Sequence, residues 1–539
     1  MAWDKPAGAL HPPLQRRGNA GAKGAAVPPT AASGPDHNAA WRAALGLAAV
    51  LTAARLAALF ISPLQLYPDE AQYWLWSRAL HWGYVSKPPM IAWLIGLTTL
   101  VGGNGEAWVR LSAPLVHAGA MLALYPVGRR LYGPAVGLLA AALYGLMPAV
   151  QISAVFVATD APLMLFLALA LWAYVALVQT PDAGRRRLYA AGFGLAVGLA
   201  FLAKFAAVYV LIGAALHAAL DRSARKAWGG WAWAAGLAAL AASFGPNLVW
   251  QATHGFATVT HTAKVNAHWN ASSLVHPGKL MEFLVGQLGV LGPIPFVVLV
   301  LGLAVLVRRK TLTAAERLLL CFTLPPLVLV SAQAFVSRAH AHWAAAAYLA
   351  GVVLVAAWLT EWRARGWTIA ALAVQGLVAA ILVVGLAWPG VVDAVGAGRR
   401  LQRIRGWSET SGIVTAAAGA AAAHGGLTAV AVEDRYMFNE VAYYGRGYFA
   451  LPGSAPLRMR PAATALNEAE LSAPLKPSEA GQVLIAETES TPPSPTLPGD
   501  FTTLRPLGRW TLPLGGKKTR VVELWLGSGY RPSGRPTPP

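Results

Sequence analysis

The sequence predicts an all-α polytopic membrane protein with a small mixed α/β domain on its extracytoplasmic side. Three observations predict it. Of 539 residues, 56% are hydrophobic and only 12% charged, against about 25% charged in an ordinary soluble domain. Up to residue 390 the apolar residues gather into long runs separated by short basic loops. Beyond residue 390, polar residues, proline and glycine rise and short β-branched segments appear.

The formal net charge is +20. Much of the excess sits in loops between apolar runs, as the positive-inside rule requires. An anionic membrane or an anionic lipid substrate accounts for it, and no nucleic-acid partner is expected. The lone cysteine, Cys321, allows neither an internal disulfide nor a cysteine metal site.

Residues 1–40, rich in Ala, Gly and Pro, read as a disordered cytoplasmic tail. They are no signal peptide, because the first apolar run starts near residue 43. Candidate spans are 43–61, 112–128, 134–152, 161–179, 188–203, 205–219, 229–250, 283–307, 317–335, 343–360 and 367–389. With the N-terminus inside, eleven crossings place every basic cluster on the cytoplasmic side: Arg129/Arg130, Arg185–Arg187, Arg222/Arg225/Lys226, Arg308–Lys310 and Arg363/Arg365. The segment 88–102, opened by two prolines, suits an interfacial or re-entrant helix better than a crossing. The transmembrane domain is thus 41–390, with 62–111 as its first outer loop. In 391–525, an extracytoplasmic domain, Leu427–Val432, Val483–Ala486 and Val521–Leu526 read as strands and Tyr436–Tyr444 as an amphipathic helix. Residues 490–498 read as a linker and 526–539 as a disordered tail. One cluster, Arg399, Arg400, Arg403 and Arg405, falls outside against the charge rule.

Only nine acidic residues lie between 42 and 390. Asp69, Glu70 and Asp160 stand apart as the catalytic candidates, since all three map to the outer face, where carboxylates at a membrane are costly unless paired or functional. Asp69 and Glu70 open a short helical pattern with Tyr73, Trp74 and Trp76; a helix cap lying on the membrane surface is the plain alternative. Lys87, before Pro88–Pro89, and Lys204, between two apolar runs, are candidates to hold a lipid-linked phosphate, with snorkelling lysines as the alternative. Arg338 is a further phosphate candidate. Tyr73, Tyr84, His340 and His342 are candidates to line the substrate. His254, His261 and His268 offer divalent-metal donors, but their spacing matches no compact zinc motif; hydrogen bonds to a sugar are equally open.

These residues carry a family likeness. Tyr67–Trp74, Trp82–Gly83–Tyr84, Lys87–Met90 and Thr159–Pro162 resemble the outer-loop motifs of bacterial GT-C-fold glycosyltransferases in the dolichyl-phosphate-mannose–protein mannosyltransferase/aminoarabinose-transferase superfamily. The likeness covers about 42–345 well and extends more generally to about 450, through Arg405–Trp407 and Tyr436–Tyr444. It implies a polyprenyl-phosphate-linked monosaccharide as donor, undecaprenyl in bacteria, and transfer at the outer face of the inner membrane. It implies Asp69 as base or acceptor-orienting carboxylate, Asp160 as second acidic position, and Lys87 and Lys204 near donor phosphate. His261 matches a metal-associated histidine of the aminoarabinose branch. The glutamate that precedes Lys–Pro–Pro there is Ser86 here, and the arginine after the acidic pair is Gln72.

The chemistry agrees. A carboxylate can take the acceptor hydroxyl's proton, and cations can stabilise the departing polyprenyl phosphate. The expected reaction is a single displacement with inversion, Asp69 serving as base. The acceptor is an envelope lipid such as lipid A or lipopolysaccharide, another glycan, or a protein. No cofactor is called for beyond a possible divalent metal, and a monomer is expected. A transporter or flippase of lipid-linked precursors is the rival reading; it predicts inverted repeats and ionisable groups at mid-bilayer, which the sequence lacks.

Overall fold

A computed structural model describes residues 37–262, 275–460, 467–479, 481–488, 497–516 and 518–532. Most of the expected N-terminal tail, the loop residues around His268, the linker up to 496 and the last residues after 532 lie outside the described residues.

The chain enters through α1 (His37–Ile61), which begins inside the stretch expected as a tail. A segment of short helices follows, with α2 (Pro68–Trp76), α3 (Met90–Gly102) and α4 (Glu106–Arg110). The bundle continues with α5 (Ser112–Tyr132), α6 (Pro134–Gly145), α7 (Pro148–Ser153), α8 (Asp160–Gln179), α9 (Ala183–Ala203), α10 (Val208–Leu220), α11 (Arg222–Ala227) and α12 (Ala232–Thr253). After α13 (Ala257–His261) come α14 (Pro277–Val290), α15 (Pro293–Arg309), α16 (Ala314–Val336), α17 (Ala347–Glu361) and α18 (Arg365–Ala387). Among the described residues seven helices are long and apolar enough to cross a bilayer, or eight if the bent pair α14–α15 is one span: α1, α4–α5 as one unit, α8, α9, α12, α16 and α18. Helices α3, α6, α17 and Phe205–Leu220 are apolar but shorter.

Two expected single spans are broken, and each break has a local cause. The run 283–307 is two helices bent by 115°. Gly292 takes φ +102° and Pro293 opens α15, a combination that stops one helix and starts another. The carbonyl of Leu291 is satisfied by Gln375 Nε2 at 2.7 Å. The run 134–152 breaks before Pro148. Inside lipid the freed carbonyl needs a donor; Gly145 O receives Arg55 Nη2 at 2.6 Å and Gln151 Nε2 at 2.7 Å. A third run, 343–360, becomes regular α-helix only from Ala347, after a 3-10 turn over Ala341–Ala344. Elsewhere small residues bring helices close. A Cβ at Gly194 would collide with the Gly236 carbonyl, so α9 and α12 touch backbone to backbone there.

The basic clusters fall at helix ends opposite the candidate site. Arg129 and Arg130 close α5, Arg185–Arg187 lie in the first turn and a half of α9, and Arg308 and Arg309 close α15. Asp160 opens α8 and Lys204 follows α9, at the other ends.

The C-terminal domain begins with α19 (Pro389–Ala394), a 3-10 helix over Gly398–Ile404 and α20 (Trp407–Ala423). Its sheet is built from β1 (Leu427–Val432), β2 (Leu457–Met459), β3 (Gln482–Thr488), β4 (Phe501–Gly515) and β5 (Lys518–Tyr530), in the order β2-β1-β3-β5-β4. β1 pairs in parallel with β2 and β3, and β5 runs antiparallel to β3 and β4. Between the strands lie α21 (Arg435–Tyr444), α22 (Arg446–Phe449) and α23 (Glu468–Ser472). The tail expected from 526 is instead the end of β5: Tyr530 is buried, pairs with Phe501 and packs on its ring at 5.2 Å.

This domain docks on the segment that carries α2 to α4. Trp74 of α2 meets Tyr443 of α21 edge-on at 4.9 Å. The Leu66 amide donates to Tyr444 Oη at 2.9 Å, and the Trp407 amide to Gln65 Oε1 at 2.6 Å. The turn from β1 into α21 is thereby carried over the start of α2.

Candidate active site

The two neighbouring carboxylates of α2 have opposite surroundings. Pro68 takes the first helical position, so Asp69 and Glu70 stand in the first turn, where the helix end favours negative charge. Glu70 is 1% exposed. It accepts from Arg110 Nη2 at 2.7 Å, from the Val157 amide at 2.9 Å and from the Tyr67 amide at 2.8 Å. Arg110 also donates to the carbonyls of Leu64 and Gln65. Asp69 points elsewhere. Its side chain is 41% exposed, and its nearest cation is Arg435 of α21, at 3.8 Å.

Asp160, the first residue of α8, pairs with Lys204 at 2.8 Å. Lys204 sits in extended backbone between α9 and the 3-10 turn Phe205–Ala207, so its side chain leaves the helix end towards α8.

Lys87 lies in a loop fixed from three sides. The Tyr84 amide donates to the Lys87 carbonyl at 3.1 Å. Asn247 of α12 holds the Trp82 carbonyl, Thr258 of α13 the Tyr84 carbonyl, and Glu468 of the C-terminal domain accepts the Val85 amide. The Trp250 ring fills the space where a Cβ on Gly83 would stand, so only glycine lets α12 pass. Lys87 itself is half-buried and makes no ion pair with any described residue. Burial and the nearby Lys204 lower its pKa; Asp69 and Asp160, within electrostatic reach, oppose the shift.

The other candidates divide. Tyr73 is buried, and desolvation with the charges of Asp69 and Asp160 raises its phenol well above the ordinary value, so it remains a donor. Tyr84 turns inward: its ring stacks on Trp76 at 4.5 Å, and its hydroxyl lies 3.0 Å from the Trp76 and Ala79 carbonyls. His342 is exposed and lies within electrostatic reach of both Asp160 and Lys204; protein atoms crowding its ring lower its pKa. His340 stacks beside it at 5.7 Å and is exposed, and so is Arg338, whose charge reaches His340. His261 has a buried Nδ1 without a hydrogen-bond partner among the described residues; burial lowers its pKa, as do Lys87 and Arg435. Among the described residues no three His, Cys, Asp or Glu side chains come together to hold a metal. With Ser86 where the aminoarabinose branch has glutamate, the donor set around His261 does not fit that branch's metal site.

One end of the bundle therefore gathers Asp69, Asp160, Lys87, Lys204, Tyr73, His342 and His261, with Arg338 and His340 at the rim. Sequence reasoning missed Arg435 and Arg110. A signal for Arg435 existed: Glu433–Asp434–Arg435 places a cation on the first residue of a helix, where its charge is misplaced.

Comparison with known proteins bears on the family and the fold. The family model described as dolichyl-phosphate-mannose-protein mannosyltransferase matches residues 86–250. The chain is 34% identical over 390 residues, 72% of its own length and 80% of the relative's, to the lipid A galacturonosyltransferase RgtD of Rhizobium johnstonii. Its fold is similar to crystal structures of ArnT from Cupriavidus metallidurans. The apo form aligns with TM-score 0.62 at 14% identity, and the form bound to undecaprenyl phosphate with 0.61 at 16%; each covers 89% of this chain and 97% of the other. The chain belongs to the GT-C-fold superfamily of ArnT-like and protein-mannosyltransferase-like bacterial glycosyltransferases.

Proposed function

We propose that this enzyme transfers a uronic acid, galacturonate first among candidates, from a polyprenyl phosphate to a lipid A-type acceptor at the outer face of the inner membrane. The observation that carries it is the convergence of Asp69, Asp160, Lys87 and Lys204 at one end of the bundle, beneath the C-terminal domain. The sugar and acceptor follow from the lipid A galacturonosyltransferase likeness, and the carrier from the fold shared with an undecaprenyl phosphate-binding protein.

In this reading the acceptor hydroxyl oxygen attacks the anomeric carbon while Asp69 takes its proton. The bond from that carbon to the phosphate oxygen breaks, and its electron pair leaves with the polyprenyl phosphate. Lys87, an ammonium with no ion-pair partner among the described residues, stabilises the growing phosphate charge. The Asp160–Lys204 pair fixes the opposite wall, and the configuration at the anomeric carbon inverts. Glu70 serves the fold: with all its lone pairs engaged, it is a poor base.

Purified enzyme in liposomes, given undecaprenyl-phosphate galacturonate and lipid A, tests this directly. Transfer with inversion is expected, and Asp69→Asn lowers kcat by roughly 10²- to 10⁴-fold without loss of insertion. A covalent glycosyl-enzyme, or an active Asp69→Asn, rejects the mechanism.

A further inference from the structure

Arg435 is the first residue of α21, directly after Asp434, whose carboxylate accepts the amides of Tyr436 and Met437. That helix end carries partial positive charge and disfavours a cation. A residue that breaks a local rule beside a candidate site points to a task there.

The guanidinium lies over the Tyr436 ring, its central carbon 4.6 Å from the ring centre, and Nη2 donates to the Tyr436 hydroxyl at 3.1 Å. Its approach to Asp69 is 3.8 Å, too long for a hydrogen bond. Nε and Nη1 bond to no described residue. Arg435 thus presents a half-buried planar fork with unused donors beside the general base, and it is carried by the C-terminal domain rather than by the bundle.

We propose that Arg435 recognises the carboxylate of the transferred uronic acid; this rests on the uronosyl-transfer reading above. In that reading the donor's phosphate sits by Lys87, and Arg435 of the C-terminal domain lies within electrostatic reach of Lys87, where a sugar on that phosphate can meet it. Lys204 is already engaged by Asp160 at 2.8 Å. A planar guanidinium matches a carboxylate with two parallel hydrogen bonds, which an ammonium does not. On binding, the sugar's carboxylate replaces Asp69 as the partner of Arg435 and leaves Asp69 free to take the acceptor's proton. A neutral sugar cannot make that exchange, so Arg435 sets specificity.

The test compares undecaprenyl-phosphate galacturonate with undecaprenyl-phosphate galactose, using the full chain in liposomes and lipid A as acceptor. Wild type is expected to favour galacturonate. Arg435→Gln lowers kcat/KM for galacturonate by roughly 10- to 100-fold, the worth of a charged hydrogen-bond pair, mostly through KM. The galactose reaction loses far less, so the selectivity ratio collapses. Arg435→Lys, which keeps the charge but not the fork, falls between. Equal losses on both donors, or an unchanged ratio in both variants, overturns the assignment. Wild type that ignores galacturonate and uses galactose refutes the uronosyl reading itself, and the role of Arg435 with it.

Discussion

Asp69 and Glu70 are adjacent in sequence and chemically unlike in the fold. Glu70 spends its oxygens on Arg110, Val157 and Tyr67, while Asp69 keeps its oxygens open beside Arg435. A one-residue step on a helix turns the side chain by about 100°, and here that step separates interior from site. Lys87 yields a pH prediction at the same scale. Burial and Lys204 hold its ammonium below the ordinary lysine value, so the free enzyme loses this charge earlier as pH rises. kcat/KM for the donor should fall on the alkaline side before an ordinary lysine would titrate. Lys87→Arg, always charged, should move that limb upward even if its maximum is lower. Initial rates across pH 7 to roughly 11 would show it. An alkaline limb unmoved by the arginine would assign the titration to another group.

At the scale of elements, the ion pair of Glu70 and Arg110 joins α2 to α4 and to the turn before α8. Both side chains are nearly inaccessible, at 2% and 1%. Removing one partner leaves a buried charge uncompensated, at a cost of about 3–5 kcal/mol. Arg110→Met should therefore lower thermal stability in detergent markedly, and Glu70→Gln less, because the amide still accepts a hydrogen bond. The fraction of Glu70→Gln that remains folded should keep a kcat within a few-fold of wild type. A kcat as low as that of Asp69→Asn in well-folded Glu70→Gln would put Glu70 into the chemistry.

For the whole molecule, the C-terminal domain completes the site. It brings Arg435 to Asp69, and Glu468 to the loop that carries Lys87. Ending the chain after residue 390 should leave a protein that inserts but does not transfer sugar, since Asp69 loses its neighbour and the Lys87 loop one of its ties. Membrane fractionation together with the liposome assay separates the two properties. Retained transfer by the truncated chain would reduce the domain to a cover.

Much of this protein was legible one dimension at a time. Hydropathy located the helices, charge placed the basic clusters at one set of helix ends, and Tyr67–Trp74, Lys87–Met90 and Thr159–Pro162 pointed to the site. Local strands with β-branched cores, Leu427–Val432 above all, were also readable. The long edge strand β4 was not, because Pro506 and Pro513 and its exposed side chains hide strand character. The breaks at Gly145–Pro148 and Leu291–Pro293 need partners remote in sequence, Arg55 and Gln375, to satisfy the open carbonyls. Composition and periodicity therefore determined which segments enter the membrane and which residue types meet at its edge. Only the tertiary structure decided which carboxylate is locked in a buried pair and which stays open, because the Glu70–Arg110 pair and the approach of Arg435 to Asp69 join residues 40 and 366 positions apart in the chain. No local pattern encodes contacts at that separation.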